Sequence, residues 1–185
     1  MERNRVCPWQ ARSLLTCTLR KMVHNPRRIT EPYLSKGMTA MDVGCGVGFF
    51  TVPMADIVGE QGKVIAIDLQ PEMLDGLKEN AYKAGMENIT AHPCGVNSLR
   101  AEQWNGTIDF VLVFMMLHEV PDPERLIREI HAALAPKGKL LFAEPVGHVG
   151  RQKFQQSLNM IKNSGFTVIE TPRVAICRAA VLQKA

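Results

Sequence analysis

The sequence predicts an α/β fold, a mostly parallel sheet covered by helices on both faces. Three observations carry this. From Met38 onward, short apolar runs alternate with helical stretches. A glycine-rich turn, Gly44-Cys45-Gly46-Val47-Gly48, joins the first such run to the first such helix. The last two apolar runs are separated only by Pro172-Arg173, too short a link for a parallel crossover, so the sheet should be mixed with an antiparallel member near the C-terminus.

Taken in order, Leu14, Leu15, Thr18, Leu19, Met22 and Val23 recur at helical spacing, with Arg12, Arg20 and Lys21 between them, which is the pattern of an amphipathic helix. Asn25-Pro26 offers a cap and a first-turn proline for a second short helix running to about Leu34, stopped by Gly37. Strands are expected at Thr39 to Val43, Lys63 to Ile67, Ile89 to His92, Phe110 to Phe114, Leu140 to Ala143, Thr167 to Thr171 and Val174 to Val181. Helices are expected at Phe49 to Val58, Pro71 to Ala84, Asp122 to Leu134 and Arg151 to Asn163.

At 185 residues the chain has room for one domain, with residues 1–36 as a helical arm and 37–185 as the core. Its apolar share of 46% and charged share of 22% are those of an ordinary globular protein. No apolar run approaches the roughly 18 residues a membrane span requires, so membrane insertion is not expected. Pro8, Arg12 and Arg20 interrupt what would be the apolar part of a secretory signal, and a cytoplasmic location is expected. Five widely spaced cysteines without a Cys-x-x-Cys pair suggest reduced thiols and no structural metal site. Residues 1–40 carry eight Lys/Arg against two acids. Charges that dispersed read as a solvated helix face rather than a nucleic-acid tract.

The glycine turn lets a ligand approach the backbone with no Cβ in the way, beside the free N–H groups of a helix start. Twenty residues past Gly48, Asp68 ends the second strand, where a carboxylate can accept from both hydroxyls of a ribose or, alternatively, can simply cap the next helix. A dinucleotide fingerprint would need Gly or Ala at Phe49 or Thr51, and no Gly-Lys-Ser/Thr follows the turn, so pyrophosphate binding loses ground.

The stretches Met41 to Phe50, V-I-A-I-D-L, I-D-F-V-L-V-F-M-M-L-H-E-V and L-A-P-K-G-K-L-L-F-A-E-P resemble, in order, the motifs of class I S-adenosylmethionine-dependent methyltransferases. The likeness is greatest to the small branch that includes ubiquinone/menaquinone-biosynthesis and arsenite methyltransferases. It implies a Rossmann-like seven-stranded sheet in the order 3-2-1-4-5-7-6 with strand 7 antiparallel. It also implies S-adenosylmethionine as cofactor, S-adenosylhomocysteine as product and a small-molecule acceptor. Carried over, it puts the methionine half of the cofactor against Asp42, Gly44, Cys45, Gly46 and Gly48, the ribose on Asp68 and the adenine on Leu69. Relatives commonly have an acid after the third strand; this chain reads His92-Pro93-Cys94-Gly95-Val96 there, leaving Cys94, Gly95 or Asn97 to meet the adenine. Phe114 to Leu117 should border the sulfonium and the acceptor.

For the acceptor, the resemblance argues against base amines, because no Asn-Pro-Pro-Tyr type of motif follows the fourth strand. It argues against metal-assisted oxygen methylation too, because Phe114 stands where catechol-type relatives carry an acid. A small, mostly apolar or soft-nucleophile metabolite is expected. His118 is the candidate base, with Glu119, Glu144 and His148 behind it, although a histidine there can equally hold a loop. Cys45 and Cys94 raise a thiol or arsenic acceptor as an alternative, against the packing role usual for such cysteines. A noncatalytic adenosine-binding module and a nicotinamide oxidoreductase are the rivals from other classes. The arm is expected to fold over the carboxyl ends of the strands, with a helix packed on the outside of the sheet as the alternative.

Overall fold

The computed structural model describes residues 23–185. The amphipathic stretch from Leu14 to Met22, and with it the expected cover over the sheet, lies outside them. The described chain begins with α1 (Pro26–Thr30), capped by Asn25, whose side chain accepts from the Arg28 N–H, and continues into one 3₁₀ turn, Glu31–Tyr33. Then come β1 (Thr39–Val43), α2 (Thr51–Val58), β2 (Lys63–Asp68), α3 (Pro71–Lys83), β3 (Ile89–Pro93) and β4 (Ile108–Phe114). After them follow α4 (Pro123–Ala133), β5 (Leu134–Pro145), α5 (Arg151–Asn163), β6 (Phe166–Glu170) and β7 (Cys177–Lys184).

The seven strands lie in the order β3-β2-β1-β4-β5-β7-β6, with β7 antiparallel to both neighbours and the other pairings parallel. Strand alternation sorts the apolar side chains into two layers. Ala40, Val64, Phe110, Leu112 and Leu141 face α1 and α2, and Ala66 on the same side meets Leu74 and Leu77 of α3. Met41, Val43, Ile65, Ile67, Val111, Val113, Leu140 and Phe142 face the apolar sides of α4 and α5. Burial on both faces explains why these strands read as continuous apolar runs.

The described part of the arm, residues 23–36, packs on the first layer. Tyr33 stacks on Phe110 with ring centroids 6.1 Å apart, and burial together with the neighbouring Glu170 carboxylate pushes its phenol up to about 12. Arg27 pairs with Asp56 of α2.

Several boundaries differ from the sequence reading. Regular helix in α2 begins at Thr51 rather than Phe49, because Phe49 and Phe50 turn inward as an edge-to-face pair before it. α4, capped by Asp122, runs straight into a twelve-residue β5. The early part of that strand holds Lys137 at a left-handed φ of 64° and shifts register against β4 between Ile108 and Phe110. β7 begins at Cys177, not Val174, so the link from β6 is six residues long rather than two. Val174 is apolar because it is buried in the α1/α2 layer, and the left-handed turn at Ile176 (φ 53°) separates it from the strand.

Gly138 allows β5 to enter against β4. A Cβ there would stand 2.8 Å from Leu134 Cδ2, 2.9 Å from the Ala135 carbonyl and 3.0 Å from the Ile108 carbonyl. Gly138→Ala should therefore destabilise the fold by about 1 to 3 kcal/mol, as overpacking does. Gly147→Ala, where nothing lies within 4 Å, should stay within about 0.5 kcal/mol of the parent. Urea denaturation of both variants checks the pair, and equal midpoints would refute the packing argument.

Candidate active site

The carboxyl ends of β1, β2 and β4 surround the glycine turn. Gly44 and Cys45 both donate their N–H to the Ile67 carbonyl, at 2.8 and 3.0 Å, which folds the turn back over the end of β2. The turn then comes under the control of Asp68. Its Oδ2 accepts from the Gly46 N–H at 2.9 Å and its Oδ1 from the Gln70 N–H at 3.0 Å. One carboxylate thus ties the turn after β1 to the start of α3.

The three glycines serve different ends. Gly46, at φ 54°, presents its N–H to Asp68. A Cβ on Gly48 would meet Leu77 Cδ1 at 2.5 Å, so this glycine lets α3 pack closely. A Cβ on Gly44 would press on Met116 Cγ at 3.0 Å, which makes Met116 the facing wall of the cleft. Asp42, buried at the end of β1, accepts from the Thr51 hydroxyl at 2.6 Å and so joins the turn to the first residue of α2.

Burial raises the Asp68 carboxyl above its usual range, against the lowering effect of the Gln70, Gly46 and Leu69 N–H groups. The thiols respond in the same sense. Cys45 is pushed well up by burial and then by Asp42 and Asp68, and Cys94 is pushed up to about 11 by burial and then by Asp68. Both are protonated at neutral pH and poor as soft-metal ligands.

Among the other residues singled out in the sequence, Leu69 follows β2 and is half-buried, and Cys94 donates its N–H to the Asp68 carbonyl at 3.1 Å. Gly95 bridges Ser98 at 2.8 Å, and these contacts bring the end of β3 to the end of β2. Asn97 is exposed on the same loop. Phe114, at the end of β4, packs its ring against Phe50 at 4.5 Å and His24 at 5.2 Å. Met115 and Met116, both half-buried, follow it, with Met115 at a left-handed φ of 58°.

His118 lies in a 3₁₀ turn, Leu117–Glu119, directly after β4. Its Nδ1 donates to Glu144 Oε2 at 2.5 Å and its backbone N–H to Oε1 of the same carboxylate at 3.1 Å. Glu144, near the end of β5, is only 2% exposed, and burial raises its carboxyl while His118 pulls it back down. With Nδ1 committed to Glu144, Nε2 is the ring atom left to act as an acceptor. Glu119 Oε1 stands 4.0 Å from Nε2, and the exposed His148 ring lies 5.8 Å away.

Sequence reading ranked Glu144 behind His118, because a partnership across 26 residues leaves no local pattern. It passed over His24 altogether. That ring donates from Nε2 to the Ala175 carbonyl at 2.8 Å and lies edge-on to Phe114, so the described end of the arm reaches the carboxyl ends of the strands. An isolated histidine before Asn-Pro carries no signal of such a place.

Comparison with known proteins agrees with this geometry. The profile of the methyltransferase-domain family matches residues 34–180. The demethylmenaquinone methyltransferase of Shouchella clausii is 33% identical over 109 residues, 58% of this chain and 45% of that protein. The ubiquinone biosynthesis O-methyltransferase of Xanthomonas euvesicatoria is 37% identical over 107 residues, 58% of this chain and 43% of that protein. This chain therefore spans less than half the length of these curated relatives. A crystal structure described as an S-adenosylmethionine-dependent methyltransferase from Aquifex aeolicus superposes with a TM-score of 0.87 at 24% identity, covering 97% of this chain and 100% of that one, which shows a shared fold. Since the family match begins ahead of β1 and continues into β7, across the glycine turn and Asp68, the chain belongs to the class I S-adenosylmethionine-dependent methyltransferase family.

Proposed function

We propose that this chain transfers a methyl group from S-adenosylmethionine to a small hydroxylated acceptor whose proton is removed by His118. The observation that carries the reading is the His118–Glu144 pair, held beside the glycine turn at the carboxyl ends of β4 and β5.

The residues present fit the cofactor. Gly44 has no Cβ, which lets the flexible Met116 side chain lie against the turn as a movable wall of the cleft. Asp68 retains acceptor capacity beyond the two N–H groups it already serves, enough for ribose hydroxyls. Asp42 adds buried negative charge near where a methionine ammonium would lie. When bound, S-adenosylmethionine supplies an electrophilic methyl on a sulfonium and leaves as S-adenosylhomocysteine. The protein's own share is positioning and proton removal. Glu144 fixes the ring of His118, and His118 Nε2 takes the acceptor's proton as the new bond to the methyl forms. The buried Glu144 carboxylate then stabilises the resulting imidazolium.

The acceptor class follows from the same surroundings. Met115 and Met116 give the cleft apolar walls, and the relatives' names refer to demethylmenaquinone and ubiquinone biosynthesis, so a hydroxylated aromatic ring is the class we infer. Supply of labelled S-adenosylmethionine with cell extract, followed by mass spectrometry of the methylated products, tests the class. Cofactor retention with no turnover on any acceptor would mark a binding module instead.

Asp68→Ala should weaken S-adenosylhomocysteine binding by about 1.5 to 3 kcal/mol, the range for a hydrogen bond to a charged group. Gly46→Val should weaken it further. A pH trend accompanies this. With its folded pKa raised by burial, Asp68 contributes stability that is fully present below the ordinary carboxylate range and is lost as pH rises through the raised value. Affinity runs the other way, because the ionised carboxylate is the better acceptor for ribose. Titration calorimetry across about pH 4 to 7 should show binding tighten in the wild type and lose that dependence in Asp68→Ala. Identical profiles would remove Asp68 from the cofactor site.

Replacement of His118 by Ala should leave S-adenosylhomocysteine affinity intact and lower kcat by about 10² to 10⁴-fold, the usual worth of a positioned base. Glu144→Gln should lower kcat in the same direction at unchanged affinity, because the neutral amide no longer stabilises the imidazolium. Full turnover in both variants would make the pair structural.

A further inference from the structure

β7 is paired along its whole length with β5, but among the described residues β6 reaches it only from Val181 to Lys184. The first four residues of β7, Cys177 to Ala180, therefore have no strand beyond them. The space beside them is a groove of about 440 Å³, closed by the start of α5 and by the link after β6. Three arginines line it: Arg151 at the first position of α5, Arg173 on the link and Arg178 on β7. Phe154 and Val174 supply apolar wall.

None of the three is in an ion pair among the described residues, although Glu144 stands opposite Arg178 on β5. Among the described residues the arginines in ion pairs with carboxylates are Arg27, Arg125 and Arg128, none of which is in the groove. The first turn of α5 has no acidic residue, and Arg151 there sits against the positive end of the helix. Arg178 is oriented by donation from Nη1 to the Val149 carbonyl at 2.8 Å. Planar guanidinium groups that line one groove with no ion-pair partner suit an oxyanion, which they grip with paired N–H donors.

The groove also adjoins the reaction site. Arg178 stands opposite Glu144 in the β5–β7 register, and Cys177 opposite Pro145. From the end of β4 to β7 is two strand spacings, roughly 10 Å. We propose that the groove binds an oxyanionic group, a carboxylate or a phosphate, carried by the methyl acceptor at the end remote from the methylated hydroxyl. This deepens the methyl-transfer reading and rests on it. The acceptor is then an elongated molecule with an apolar hydroxylated ring at the β4 end and an anionic terminus at the β7 end.

The test compares 3-(3,4-dihydroxyphenyl)propanoate with its uncharged primary amide by calorimetry on the full chain saturated with S-adenosylhomocysteine. Inorganic phosphate is added as a competitor. The acid should bind about tenfold tighter than the amide or better, with the difference shrinking as salt screens it. Arg151→Gln/Arg173→Gln should abolish the difference and leave S-adenosylhomocysteine affinity unchanged, which also shows that the variant folds. Displacement of the acid by phosphate at comparable concentration would identify a phosphate as the occupant, and indifference to phosphate a carboxylate. Equal binding of acid and amide, or discrimination that survives the double substitution, would overturn the proposal. So would tight binding of a single-stranded RNA oligomer without acid–amide discrimination. Failure to bind S-adenosylhomocysteine would instead strike the methyl-transfer reading beneath it.

Discussion

The cleft depends on one buried carboxylate. Asp68 ends β2, and the strand's parallel register with β1 brings it level with the glycine turn, so a single side chain can accept from Gly46 and Gln70 together. Without it, the N–H of Gly46 would lose its partner and α3 would lose the group that orients its first turn. Burial raises the cost of ionising that carboxyl, and three backbone N–H groups offset only part of the cost. A position that stores unfavourable charge at neutral pH is destabilising unless something else uses the charge. On the proposed reading a ribose donating two hydroxyls is such a use, and it would connect the stability of the turn to the presence of cofactor.

The second buried acid, Glu144, follows the same logic toward a different end. It is raised by burial and drawn back by His118, and it takes both the ring and the backbone N–H of that residue. Two contacts from one residue fix the imidazole more firmly than a single bond, since rotation of the ring would break one and movement of the turn the other. The thiols of Cys45 and Cys94, beside Asp68, are pushed up by the same burial. The carboxyl end of the sheet is thus divided: the buried carboxyls Asp42 and Asp68 lie on one flank, the His118–Glu144 pair at the ends of β4 and β5, and three arginines beyond β7.

How much of this was readable in the sequence depends on the range of the interactions involved. The strand order was accessible because apolar runs of four to seven residues, bounded by turns, record burial on two faces, and the motif order supplied the crossovers. The glycine turn and Asp68 were accessible because their spacing is local. The start of β7 was misplaced because Val174 is apolar for a reason other than strand pairing, being buried from a loop. The role of Glu144 and the convergence of Arg151, Arg173 and Arg178 depend on pairing across β5 and β7, and nothing in the linear spacing of those residues marks it. The contact of Phe114 with Phe50 and His24 follows from strand alternation, which puts it on the same face as Phe110 and Leu112.

The described end of the arm bears on how so small a core encloses its reaction. His24 spans from the Ala175 carbonyl, before β7, to the ring of Phe114 at the end of β4. It therefore crosses the sheet ends along the line on which we infer the acceptor to lie, on the α1/α2 side. Glu144 alternates to the opposite side from Ala143, toward the α4/α5 layer. An acceptor reaching His118 would then lie between these two layers, with the arm closing one side and the turn after β5 the other. Exclusion of water from a sulfonium favours such an arrangement, because the charge dispersed on methyl transfer is better solvated by water in the ground state than in the transition state. On this view the arm acts by bounding the cleft from the β1–β4 side, and acceptor choice falls to the groove beyond β7, where the sheet edge leaves room for side chains rather than another strand.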